Sequence, residues 1–149
     1  MTYNTYDCII VIPTLKVKMK LTNYSRNLLL ETFAKWDVPK DFADPMYNYL
    51  VHGYSPGSFF TSVLANDFHG AIARSHPGNT IEALKHLGGW VTDCAPRESH
   101  GSYAIVEHWL KMQSTARRQI LEECGLIYTE EKEVMLSLKG TTTVEPNLY

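Results

Sequence analysis

The residues of this chain that could do chemistry gather around one stretch, Tyr54-Ser55-Pro56-Gly57-Ser58-Phe59-Phe60-Thr61-Ser62-Val63-Leu64-Ala65-Asn66-Asp67. It reads as a helix with a marked start. Ser55 is a preferred N-cap, because its hydroxyl can accept from a backbone N–H two or three residues on. Pro56 falls at the first helical position, where a missing N–H costs nothing. The N–H groups of Gly57, Ser58 and Phe59, the positive helix end, and the hydroxyls of Ser55 and Ser58 suit a phosphate or carboxylate. The plainer reading is a cap that only starts a core helix. Asn66 and Asp67 close the stretch. They could read a base edge or a ribose hydroxyl, or satisfy helix-end backbone groups.

Arg74, Arg97 and His100 fall in loops near expected helix ends, where functional groups tend to gather, and Arg can fork onto phosphate. Solvated surface charge is the alternative for each. Ser102 is a polar candidate beside them and equally a helix cap. Tyr54, Trp90 and Tyr103 could stack on a base, or be core and interface aromatics. The six histidines are His52, His69, His76, His86, His100 and His108. None pair at the i, i+4 spacing of a helical zinc site and no cysteine pair joins them, so no metal is expected. Cys94, Ser99, His100 and Ser102 lie close in sequence without a nucleophile-elbow or cysteine-protease context. No catalytic residue is assigned, and neither enzymatic activity nor a cofactor is expected.

Composition narrows the classes further. A chain of 149 residues with 44% hydrophobic and 20% charged content reads as one globular domain, residues 1–149. Its formal net charge of −2 argues against non-specific nucleic-acid binding, which rests on many Lys and Arg contacts to phosphates. Three cysteines, Cys8, Cys94 and Cys124, without paired spacing suggest reduced thiols in a cytoplasmic setting. The apolar runs are too short to span a bilayer, and the first residues lack a basic region before an apolar one, so neither a membrane span nor a cleaved signal is expected.

The elements that must position the candidate residues read as mainly helical, an α+β arrangement of about five helices with a small antiparallel sheet. Cys8 to Ile12 and Leu15 to Leu21 look like strands within residues 6–21, and Val134 to Leu138 like a partner strand within 133–139. The expected helices begin with Arg26 to Trp36 and with Asp44-Pro45 running to about His52, where Gly53 is a good stop. The Ser55 helix follows, with a short piece continuing through Phe68 to Arg74. Asn79 to Glu82 is close to a capping box, opening a helix with Ile81, Leu84, Leu87 and Val91 inward. Gly88-Gly89 inside it costs about 1 kcal/mol per glycine relative to alanine, which close packing, a kink or a ligand must offset. A long last helix, capped by Ser102, spans Tyr103 to about Glu123 and stops at Gly125.

The arrangement His52-Gly53-x-x-Pro56-Gly57-Ser58-Phe59-Phe60-x-x-Val63-Leu64-x-Asn66-Asp67, followed by Ala95-Pro96 and by Gly101-Ser102 ahead of Trp109, resembles small uncharacterised proteins of bacteriophages and prophages. It covers a little under half the chain, within the helical core of residues 44–112. Relatives are shorter and often carry proline after the Gly-Ser, where Tyr103 stands here. The resemblance implies a phage accessory protein acting in the host cytoplasm, and supplies no catalytic residue. The leading expectation is a non-enzymatic counter-defence protein that sequesters a host factor, in its sharper form a phosphorylated nucleotide signal of an antiviral pathway. Such a binder would be a homo-oligomer with its ligand at a subunit boundary. The alternatives are an inhibitor or adaptor that docks on a host protein through an aromatic surface, and a small hydrolase or transferase.

Overall fold

The computed structural model describes residues 24–140. They divide into two compact units, residues 28–127 and the flanking segments 24–27 with 128–140. Helix α1 (24–35) carries Leu29 and Phe33 as buried residues. It ends where Asp37 turns left-handed (φ 55°) and Val38 precedes proline. A 3₁₀ turn, Lys40–Phe42, leads into α2 (Ala43–Tyr47), which a π-helical turn, Asn48–His52, extends. Then come α3 (Ser58–Leu64), α4 (Phe68–Arg74) and α5 (Ile81–Cys94). A second 3₁₀ turn, Arg97–Ser99, precedes α6 (Tyr103–Lys111) and α7 (Ser114–Cys124).

Three of these starts are closed by side chains. Asp67 accepts from the Gly70 N–H, Thr80 from that of Ala83 and Ser102 from that of Ile105. The α5 cap is thus Thr80, one residue beyond the expected Asn79. The core is aromatic, and its polar handles are satisfied. Trp90 is fully buried, edge-on to Phe33, and its Nε1–H donates to Thr32 Oγ1 at 3.0 Å. Trp109 donates to the Tyr49 carbonyl at 3.2 Å, and the Tyr49 hydroxyl donates to the Ser99 carbonyl at 2.7 Å. Burial pushes the Tyr49 hydroxyl pKa well up.

The glycine pair of α5 now has its explanation. A Cβ on Gly89 would stand 2.9 Å from the Trp36 ring, and one on Gly88 would stand 3.2 Å from the Phe68 ring. The aromatic rings occupy the space that side chains would need, and this close packing offsets the propensity cost. Gly53 is constrained twice. Its φ is 70°, and a Cβ there would lie 2.7 Å from the guanidinium carbon of Arg117. Arg117 is itself buried and donates to the carbonyls of Met112 and Trp109, closing the C-terminal end of α6.

Several expectations are corrected. The described residues hold no strand, so the expected small sheet is absent from them. Residues 6–21 lie outside the described residues, but the proposed partner strand at 133–139 is part of helix α8 (Glu130–Gly140). Its physical reason is local. Thr129 Oγ1 accepts from the Lys132 N–H, and Glu130, Glu131 and Glu133 fill the first turn, where carboxylates suit the positive helix end. Met135 breaks the alternation that a half-buried strand requires. In this unit Ser25 donates to Glu133 at 2.6 Å, both buried, while Val134, Met135 and Leu138 are exposed.

The long last helix is two helices, because Met112 and Gln113 are extended (ψ 149° and 147°). Neither glycine nor proline marks that break. Ile81, expected inward, is 67% exposed. No helix among the described residues is long and apolar enough to cross a membrane.

A paired substitution isolates the role of Arg117. Gly53 and Gly125 are both left-handed helix stops, but only Gly53 meets a side chain. Gly125→Ala should cost about 1–2 kcal/mol by backbone strain alone. Gly53→Ala should cost about 3 kcal/mol or more, since the guanidinium must also shift. Urea denaturation followed by circular dichroism measures both, and equal losses would remove Arg117 from the explanation.

Candidate functional site

Backbone bonds bring three helix ends together. The Asp67 N–H donates to the Ser62 carbonyl at 2.9 Å, folding the chain back at the end of α3. Asn66 allows this turn by taking a left-handed conformation (φ 64°). The Gly101 N–H donates to the Leu64 carbonyl at 2.7 Å, which holds the start of α6 beside α3. Asp67, Arg74 and Tyr103 therefore converge on the flank of α3.

Between them lies a cleft of about 330 Å³, lined by Ser55, Gly57, Ser58, Thr61, Ser62, Arg74 and Tyr103. Its volume is within the roughly 300–1,000 Å³ of small-molecule sites. The Arg74 guanidinium donates to Ser62 Oγ at 2.8 Å and stands 3.7 Å from Asp67 Oδ2. The Tyr103 hydroxyl donates to Asp67 Oδ2 at 2.5 Å and lies 3.3 Å from Ser62 Oγ. Asp67 Oδ1 accepts from the Gly70 N–H at 2.9 Å. The Tyr103 hydroxyl, then the Gly70 amide and to a lesser extent the Arg74 charge, hold the Asp67 carboxyl below its ordinary range.

This arrangement leaves a cation available. Arg carries five N–H donors in a fixed fork, and one nitrogen serves Ser62. The Asp67 contact is long and both side chains are partly exposed, at 47% and 34%. Such a surface pair contributes about 0–1 kcal/mol. A hydrogen bond from a charged donor contributes about 1.5–3 kcal/mol. The remaining guanidinium N–H groups can donate to a further acceptor, such as a phosphate or carboxylate.

The helix start differs in detail from the sequence reading. Its N-cap is Gly57 (φ 94°), and no side chain caps it. Ser55 is not the cap and Pro56 precedes the helix. Ser55, Gly57 and Ser58 are exposed and line the cleft. With seven residues, α3 supplies little macrodipole, and the electrostatics of the cleft rest on Arg74.

The remaining candidates are dispersed. Arg97 is exposed in the 97–99 turn and does not line the cleft. His100 is half-buried, and burial lowers its pKa, partly offset by a backbone hydrogen bond at Ala95. The Ser102 hydroxyl is engaged as the α6 cap. Tyr54 is 61% exposed and stacked on His52, with ring centroids 5.4 Å apart. Trp90 is a core residue with no surface to offer a base. Sequence reading missed Ser62 and Thr61. A hydroxyl inside the apolar run Phe59 to Leu64 was the available signal, because a buried hydroxyl needs a partner. Among the described residues no group of three or more His, Cys, Asp or Glu side chains could hold a metal ion.

No protein-family model, curated protein or solved structure matches the chain.

The network makes two linked predictions. Tyr103→Phe removes the main cause of the Asp67 shift, so its carboxyl pKa should move up toward the ordinary 3.8 in a carbon-13 NMR titration. Gly70→Ala should gain up to about 1 kcal/mol of helix propensity. A Cβ at position 70 would nevertheless overlap both Arg74 and Asp67. The variant should stay folded while the Arg74 side chain leaves Ser62, visible as a changed arginine Nε chemical shift.

Proposed function

We propose that this chain is a non-enzymatic binding protein that sequesters a small phosphorylated ligand in the cleft between α3, α4 and α6. The observation that carries the reading is Arg74. It pairs only loosely with Asp67 and opens onto a pocket whose other walls are hydroxyls, a bare glycine backbone and the Tyr103 ring. The Arg74 fork would take the phosphate, with Ser55, Ser58 and Thr61 as secondary donors. Tyr103 is 48% exposed and would lie against an aromatic base. A nucleotide is therefore the favoured ligand class. Binding is preferred to hydrolysis because Ser62 Oγ meets Arg74 and the Tyr103 hydroxyl, and the residues lining the cleft include no His, Asp or Glu to serve a nucleophile as general base.

In its most specific form the protein is a bacteriophage accessory factor that withdraws a nucleotide signal of host defence in the host cytoplasm. That setting rests on the resemblance of the His52 to Asp67 pattern. Titration calorimetry with inorganic phosphate and a panel of mono-, di- and cyclic nucleotides tests the reading. At least one nucleotide should bind, and Arg74→Ala should weaken it by about ten- to a hundredfold. Arg97→Ala, outside the cleft, should leave affinity unchanged. Absence of heat across the panel, or equal effects at both arginines, would overturn it.

A further inference from the structure

A second concavity lies along α5. It is a groove of about 630 Å³ whose floor is Gly88-Gly89, with Trp36 on one side and Phe68 and Ile72 on the other. Phe68 and Ile72 are 46% and 53% exposed, so the walls are open apolar surface. Lys85 and Asp93, both exposed, also line it. Neither forms an ion pair among the described residues.

The floor follows an i, i+3, i+4, i+8 pattern of positive charge, glycine, glycine and negative charge, from Lys85 through Gly88 and Gly89 to Asp93. Helix α8 carries the converse at the same spacing. Glu131, Val134, Met135 and Lys139 run negative, large apolar, large apolar, positive along its exposed side. Val134 and Met135 are 42% and 54% exposed. Eight residues of helix span about 12 Å, so the charged ends of both patterns lie equally far apart.

We propose that the groove is the docking site for α8 of a second copy of this chain, laid parallel to α5 and in register. Val134 and Met135 then enter the groove between the Trp36 ring and the Phe68 and Ile72 side chains. Glu131 stands over Lys85, and Lys139 carries its charge to the end that holds Asp93. The opposite direction would set Glu131 beside Asp93 and Lys139 beside Lys85, which like-charge repulsion opposes. A concave face cannot fill itself, so the groove does not pair with its own copy. A two-fold dimer, the commonest homo-oligomer, forms when two chains exchange this contact. This interface does not depend on the polar cleft.

Sedimentation velocity of the full chain over the micromolar range tests it. The wild-type chain should form dimers. Lys85→Glu and Glu131→Lys, each on the surface, should each raise the dimer Kd by about tenfold or more. The double variant Lys85→Glu with Glu131→Lys should return it toward the wild-type value, and circular dichroism should show all three folded. Val134→Asp, an independent variant in the apolar centre, should also dissociate the dimer. A monomer at every concentration, a dimer indifferent to the single charge reversals, or single losses without rescue would each overturn the proposal. So would a groove that takes up an apolar dye equally well in the dimer and in the Val134→Asp variant.

Discussion

The buried line of hydrogen bonds from Trp109 through Tyr49 to Ser99 holds the larger unit together. It joins the π turn after α2 to α6 and to the 97–99 turn, with all three residues fully buried. Each bond uses the polar edge of a side chain whose body fills the core, so breaking one leaves an unsatisfied group in a low-dielectric interior at about 1–3 kcal/mol. The consequence for the cleft is direct. Once Trp109 is anchored, α6 has one position, and its first residue, Tyr103, is delivered to Asp67.

Around that line, glycine does the fitting. Gly53, Gly70, Gly88 and Gly89 stand where side chains of neighbouring residues occupy the missing Cβ volume. Gly70 matters most for chemistry, because Asp67 and Arg74 share the space above it. The acidic and basic groups come from opposite ends of a seven-residue helix and meet above Gly70, where no larger residue would leave room.

Much of the helical content was legible because its punctuation is chemical. Ser102 as a cap, Gly53 and Gly125 as stops, and Pro39 after Val38 announce boundaries through hydroxyls, positive φ and a fixed ring. Three features were not legible, each for a physical reason. The break at Met112 and Gln113 depends on Arg117 reaching back to satisfy carbonyls, a tertiary bond with no local signature. Residues 133–139 are apolar enough for a strand, and only the capped acidic first turn decides for helix. At the cleft, Arg74, Tyr103, Gly57 and Ser58 were legible as types but not as neighbours. Their meeting is made by the Gly101 to Leu64 bond and by the left-handed turn at Asn66. Trp90 shows the converse, since an aromatic of the right type was taken by the core.

The Trp36 ring rests where Gly89 would otherwise carry a methyl group. Positions 36 and 89 therefore divide a single volume between them, although they lie far apart along the chain. A larger residue at 89 is admissible only beside a smaller one at 36. In descent the two should drift as a couple, and a lineage that traded tryptophan for leucine would be free to place alanine at position 89.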